Sequence, residues 1–94
     1  MRSKEISMAA KPQAAALKKA SNQTAKVVAA RLVSLREERG LSQARLAELA
    51  GIDRKTINRI EKNHFSPSLD TLTRISVVLK CRLADLFGGK SAKR

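Results

Sequence analysis

Hydrogen-bond donors are concentrated between residues 54 and 62. They are Arg54, Lys55, Thr56, Asn58, Arg59 and Lys62. Positions three or four residues apart share a face of an α-helix, so the four cations lie together if this segment is helical. Guanidinium, ammonium, amide and hydroxyl groups donate to phosphate oxygens and to the acceptors on base edges. The spacing therefore favours the binding of a nucleic acid.

Residues for catalysis or metal binding are scarce. Cys81 is the only cysteine and His64 the only histidine, which leaves too few soft ligands for a metal site and excludes an intramolecular disulfide. The sequence has no nucleophile–base pair, phosphate loop or metal cluster at a workable spacing. We expect no enzyme activity, no cofactor and no bound metal, and we expect Cys81 to pack as a small apolar side chain.

Two short helices joined by a tight turn would position the donors. Ser42 is a helix N-cap type, and Leu46, Ala47 and Ala50 give the first helix an inward face. Ala47 lies where the two helices should cross closest. Gly51 should end that helix in the left-handed conformation, where the absence of a Cβ lowers the cost.

The second helix carries the donors on its outward face. Asp53 should cap it, while Ile57 and Ile60 join Ile52 in facing the first helix. An ordinary helical hairpin with a solvated charged face would explain this periodicity. It would not explain why a small residue at the crossing, a turn glycine, a cap and an outward face without acids occur together.

The remaining pattern predicts an all-α domain of five helices at residues 24–87. The first helix should begin near Asn22 to Thr24 and end at Arg39, and the fourth should cover 68–79 with Leu69 largely inward. Ser66 and Pro67 precede that fourth helix, and a short fifth helix should cover 83–87. Residues 1–23 and 88–94 should be basic, flexible tails, and we expect the first of them to be mostly disordered.

Charge supports a polyanionic partner. The formal net charge is +12, and residues 24–87 carry 12 Lys/Arg against 7 Asp/Glu, so the two tails contribute the larger share. Lys18 and Lys19 either lie along phosphates when DNA is bound or belong to a solubilising tail. The sequence has no apolar run of membrane-spanning length and no secretory signal, so we expect a cytoplasmic, nucleoid-associated protein without a membrane partner.

These motifs, in this order, resemble the phage repressor and Cro-like helix-turn-helix family, also called the XRE family. The resemblance extends from about Thr24 to Phe87. The motifs that carry it are LVSLREERGLSQ at 32–43, AELAGI at 47–52, RIEKN at 59–63 and SPSLDTL at 66–72. Lys80 and Arg82 depart from the family, which usually has a glycine and a serine-like cap at these positions.

The resemblance implies a role for several side chains. The positions that match Arg54, Lys55 and Arg59 meet base edges in the family, and Arg or Lys there prefers guanine, so we expect a G-containing half-site. Gln43 matches a phosphate-binding position that can also brace the first recognition residue. Thr56, Asn58 and Lys62 have the reach for phosphate or sugar contacts. The family pattern also pairs Arg36 with Glu61.

The function expected from this resemblance is sequence-specific binding of double-stranded DNA by a transcriptional regulator. We expect a repressor that binds a palindromic operator as a homodimer, since one copy covers only a short half-site. The proposed dimer surface is the fifth helix with its approach, namely Cys81, Leu83, Leu86 and Phe87, although the leucines and Phe87 would alternatively close the core. Three other functions stay open: an antitoxin with a protein partner such as a toxin, a restriction-modification controller, and a nonspecific architectural DNA binder.

Overall fold

The computed structural model describes residues 13–88, and this part of the chain is all-α. It contains five helices, as the sequence predicts. They are α1 (Ala14–Glu38), α2 (Gln43–Ala50), α3 (Arg54–Glu61), α4 (Leu69–Leu79) and α5 (Leu83–Leu86). Helix α1 packs against α3 and α5, while α4 packs against α2 and α5, so the helices enclose one core.

Helix α1 begins much earlier than expected. It starts at Ala14, so the predicted beginning near Asn22 to Thr24 is wrong, as is the prediction of disorder for residues 14–23. This stretch has no bulky apolar periodicity, but its alanines and lysines have high helix propensity. Once the packed part of α1 is formed, adding further residues avoids the cost of a new nucleus. The disorder predicted for residues 1–12 and the tail at 89–94 lie outside the described residues.

The helix-turn-helix has the predicted geometry at α2. The Ser42 hydroxyl accepts a hydrogen bond from the backbone N–H of Arg45 at 3.0 Å. Gly51 ends the helix in the left-handed conformation, with φ 69° and ψ 37°. Ala47 is buried, and its carbonyl accepts from the backbone N–H of Ile52 at 2.9 Å. The turn is thereby closed by backbone bonds that a larger residue at position 51 would strain.

Helix α3 is held by its apolar face more than by its cap. Ile57 and Ile60 are fully buried in the core. Asp53 occupies the predicted N-cap position, but its side chain makes none of the hydrogen bonds expected of a cap. Its charge still lies at the positive end of the helix dipole. Asn63, just past the helix, adopts the left-handed conformation with φ 61°.

The α4–α5 junction forms despite the two departures from the family pattern. Lys80 takes the left-handed conformation at φ 56° in place of a glycine. At position 82 the backbone N–H donates to Asp85 Oδ2 at 2.9 Å, so Asp85 forms half of a capping box although Arg82 has no capping side chain. Helix α5 ends at Leu86, one residue before the predicted end. Leu69 was expected to face inward and is exposed.

The core is aliphatic. Its buried residues are Val28, Leu32, Leu35, Leu46, Ala47, Ile57, Ile60, Leu72, Ile75, Leu79 and Leu86. Cys81 and Leu83 pack partly buried against it, which confirms the packing role expected for Cys81. Leu86 is 0% exposed, so its assignment to a dimer surface is wrong and its alternative role in closing the core is confirmed. Phe87 remains exposed.

Candidate nucleic-acid interface

The outward face of α3 presents its cations to solvent. Arg54, Lys55, Arg59 and Lys62 are all exposed, whereas Thr56 and Asn58 are half-buried. Buried isoleucines on the opposite face fix the rotation of the helix about its axis. The structure therefore brings the predicted cations together on one rigid surface, and their contact with DNA stays a prediction.

Gln43 is linked to the end of α3, and sequence reasoning missed this contact. Its Nε2 donates to Glu61 Oε1 at 2.8 Å and to Asn58 Oδ1 at 3.4 Å. Gln43 thus braces the middle and end of the helix, whereas the family resemblance pointed to the first recognition residue, Arg54. The bond ties the start of α2 to α3, so the two helices hold one orientation.

The predicted Arg36–Glu61 pair is confirmed. Arg36 Nε donates to Glu61 Oε2 at 2.6 Å and Nη2 to Oε1 at 3.1 Å. The side chains are only 12% and 6% exposed, and Arg36 also donates to the Leu41 carbonyl at 2.7 Å. The hydrogen bond to Glu61 raises the pKa of Arg36 above its ordinary value. Glu61, the one acid within α3, is therefore neutralised within the protein.

Three further arginines bind carbonyl groups at helix ends. Arg39 donates to the Leu79 carbonyl at 2.7 Å, Arg31 to the Asp85 carbonyl at 2.9 Å and Arg74 to the Ala50 carbonyl at 3.4 Å. Cations are favoured at helix C-termini because the last carbonyls have no partner within the helix and the dipole is negative there. These arginines stabilise the packing of α2, α4 and α5, and sequence periodicity gave no signal for them.

The cations of residues 24–87 divide into two equal groups. Six arginines donate to protein carbonyls or carboxylates, and they are Arg31, Arg36, Arg39, Arg45, Arg74 and Arg82. The side chains of the other six make no hydrogen bond to protein within residues 13–88, and these residues are Lys26, Arg54, Lys55, Arg59, Lys62 and Lys80. Four of these six lie on α3 or directly after it. Positive charge without a protein partner therefore accumulates on the outward face of α3.

The other perturbed groups lie away from this face. The backbone N–H of residue 82, followed by the Arg82 guanidinium, lowers the pKa of Asp85 below its usual range. Burial raises the pKa of the Cys81 thiol, which keeps it protonated near neutral pH. Among residues 13–88 no group of three His, Cys, Asp or Glu side chains is placed to hold a metal ion. None of the described helices is long and apolar enough to span a membrane.

Residues 32–86 match the HTH_3 family, which is described as helix-turn-helix, and the match covers more than half of the chain. The chain belongs to the HTH_3 family. Its fold is close to a solved member, an HTH_3 family transcriptional regulator from Vibrio cholerae, with a TM-score of 0.69 and 29% identity over 72% of this chain and 38% of that one. Helices α2 and α3 are therefore the DNA-binding helix-turn-helix of an XRE-type regulator family.

Named relatives share this domain. The transcriptional regulator PuuR of Escherichia coli K12 is 39% identical over 57 residues, which are 61% of this chain and 31% of PuuR. The immunity repressor of Bacillus phage phi105 is 34% identical over 65% of this chain and 42% of the repressor. The restriction-modification controller C.AhdI from Aeromonas hydrophila has a TM-score of 0.65 and 32% identity over 67% of this chain and 96% of its own. The chain spans less than half the length of the two curated relatives.

Proposed function

We propose that this protein is a sequence-specific regulator of transcription that acts as a repressor by occupying a palindromic operator in double-stranded DNA. The observation that carries this proposal is the division of its cations. Six are bound within the protein, while the outward face of α3 keeps Arg54, Lys55 and Arg59 exposed beside a neutralised Glu61. The named relatives include an immunity repressor and regulators of transcription.

The recognition chemistry follows from the donor types. Arg and Lys at the start of a recognition helix donate to guanine O6 and N7, and each well-placed bidentate contact discriminates by about 1–3 kcal/mol. Arg54 and Lys55 lie at that start, and Arg59 lies one turn further. Gln43, Thr56, Asn58 and Lys62 surround them and would set the register through phosphate or sugar contacts.

A homodimer would double the length of DNA sequence that the recognition helices contact. Two copies on a two-fold symmetric operator place their recognition helices about 34–36 Å apart, in successive major grooves. The surface we propose for the dimer lies between α2 and α4, where Leu49 is 48% and Val77 70% exposed around one shallow cavity. Large apolar side chains with this exposure favour contact with a second copy over contact with water. The α5 surface expected from the sequence has lost Leu86 to the core, so it is the alternative.

Selection of bound sequences from a pool of random duplexes tests the proposal. We expect a G-containing inverted repeat for the wild-type chain. Arg54→Ala and Lys55→Ala should each weaken binding to that repeat by about 10- to 100-fold and relax base preference within the half-site, since each removes one base contact.

Lys80→Ala is the matched control, because it removes an equally exposed cation outside α3. Its affinity for the repeat should change little. Recovery of no motif, or equal affinity for the repeat and for scrambled DNA, would contradict a sequence-specific regulator and favour an architectural role driven by charge.

A restriction-modification controller is the second candidate, and one observation favours it. The C.AhdI match extends over 96% of that controller, whereas the longer relatives share only one part of their length. Transcription from a promoter that carries the selected operator separates the two functions. Repression at every protein concentration supports the repressor, and activation at low concentration supports the controller. In either case the protein works where the DNA is, in the cytoplasm and on the nucleoid.

A further inference from the structure

The first half of α1 lies largely outside the core, and only its last turns border the C-terminal residues. Burial along α1 begins at Val28, and from Ala14 to Val27 every residue is exposed except Ala25, which is partly buried. These fourteen residues, at 1.5 Å each, make a rod of about 21 Å. The described residues measure 48 × 32 × 19 Å, a length well beyond what the small core requires.

One face of this rod changes from apolar to basic where it leaves the core. Together with Asn63 it borders an open groove of about 640 Å³, whose polar lining is Lys18, Lys19, Asn22, Gln23, Lys26 and Asn63. These helix positions follow one another at three- and four-residue steps, so they form one stripe. One turn further the stripe reaches Ala29, which is buried. A helix face that packs against protein is apolar along its length. This face becomes polar where it leaves the core, so it is not built to pack against protein.

The charge on this face is of one sign. The helix contains no Asp or Glu from Ala14 to Arg36, and the groove has no carboxylate among its lining residues. Residues 1–12 carry three cations and one acid, so charge opposes their occupying the groove. The occupant that fits is a polyanion, because each bound phosphate would offset a lysine charge that no protein group in the described chain offsets.

The groove also lies at the edge of the outward face of α3. Asn63 follows the last residue of α3, Glu61, by two positions. A recognition helix contacts base edges in the major groove with its N-terminal residues. If α3 docks in this way, the chain just beyond its C-terminal end lies nearer to the sugar-phosphate backbone.

We propose that Lys18, Lys19 and Lys26, the lysine face, bind the DNA phosphates that flank the half-site read by α3. This proposal rests on the function proposed above. Ammonium groups on flexible stems act as point charges, so they add affinity that is independent of sequence. The α1 extension thereby lengthens the footprint of the domain without adding to its base preference.

The test is a salt titration of DNA binding by the full chain with Lys18→Gln, Lys19→Gln and Lys26→Gln combined. Gln has nearly the helix propensity of Lys, so α1 persists, and circular dichroism verifies this. The slope of log Kobs against log salt should become shallower by about 0.9 per lost phosphate contact, or about 2 to 3 per chain. The change should be equal on the selected operator and on scrambled duplex, and hydroxyl-radical protection should shrink only at the flanks.

The matched control removes three charges elsewhere, by Lys90→Gln, Lys93→Gln and Arg94→Gln. If the salt slope falls equally in this control, the effect is due to net charge alone and the proposal is overturned. An unchanged slope in the lysine-face variant would also overturn it, as would a loss of binding to phosphatidylserine vesicles with DNA binding intact.

Failure of the proposed function gives a different result. If the wild-type chain selects no motif but the lysine-face variant still loses slope on scrambled DNA, the lysine face binds phosphate in a protein that is not a sequence-specific regulator. If Arg54→Ala loses the motif and the lysine-face variant is unchanged, the regulator stands and the lysine face does not bind phosphate.

Discussion

At the scale of single residues, Glu61 connects the stability of the fold with the orientation of the recognition helix. It accepts hydrogen bonds from Arg36 on α1 and from Gln43 on α2, although it belongs to α3. Three helices therefore share one carboxylate, which is almost fully buried. Removing Arg36 or Gln43 would leave the buried Glu61 carboxylate with an unsatisfied acceptor. The free-energy cost of that is larger than the value of the lost hydrogen bond itself.

Arg36→Ala should destabilise the fold by about 3–5 kcal/mol, because it leaves the buried Glu61 carboxylate without its cation. Urea denaturation followed by circular dichroism measures this as a lower midpoint with an unchanged slope. Arg45→Ala is the control: its pair with Glu48 is exposed and should contribute about 0–1 kcal/mol. Equal stability of Arg36→Ala and the wild type would reject the structural role of the pair.

The limits of sequence reasoning are clear at this scale. The Arg36–Glu61 pair was predictable from the family pattern, because two charged residues recur at matching positions. The bond from Gln43 to Glu61 and the arginine contacts with helix-end carbonyls were not, since they depend on rotamers and on distances between helices that are far apart in sequence. Such contacts have no periodicity of their own.

At the scale of elements, close approach of α2 and α3 depends on the small side chain of Ala47. It is buried at the crossing, and its carbonyl belongs to the turn that reverses the chain. Small residues at a helix crossing allow the backbones to approach, and a well-packed core accommodates added methylene groups poorly.

Ala47→Leu should therefore destabilise the protein by about 1–3 kcal/mol and weaken DNA binding further by tilting α3. Thermal unfolding and operator affinity measure the two effects separately. Ala44→Leu introduces the same side chain at an exposed position of the same helix, so its melting temperature should stay close to that of the wild type. Full stability in Ala47→Leu would mean that the crossing has spare volume and that Ala47 does not set the helix spacing.

The elements themselves were largely predictable, with errors at their ends. The bounds of α2 and α3 followed from a serine cap, a turn glycine and isoleucine spacing, which act locally. The beginning of α1 did not, because alanine and lysine give a helix no apolar stripe to recognise, although they extend one readily. At α5 the Asp85 carboxylate binds the backbone N–H of Arg82 at the cap position, a local bond that residue types alone did not reveal.

At the scale of the whole molecule, the net charge of +12 overstates what is free to bind DNA. Within residues 13–88, six of the eight arginines donate to carboxylates or to carbonyls, whereas most of the cations without such a partner belong to α3, to the residue after it and to the lysine face. The sequence predicted the excess of charge and its partner class. Its distribution required the fold, since helix packing decides which cations find a protein acceptor.

The same fold leaves an apolar surface between α2 and α4, and the homodimer proposal predicts its use. In a two-fold interface each Val77 is buried once per copy, so Val77→Glu removes two apolar contacts and adds two charges. Losing the two valines alone would cost about 3 kcal/mol, which weakens dimerisation about 100-fold or more. Sedimentation equilibrium should give a dimer for the wild type and a monomer for the variant at the same concentration.

Phe87→Glu is the control, because Phe87 is exposed beside α1 and away from this surface. Dissociation by Phe87→Glu but not by Val77→Glu would return the interface to the C-terminal helix. A wild-type monomer at high micromolar concentration, with and without operator, would exclude the homodimer.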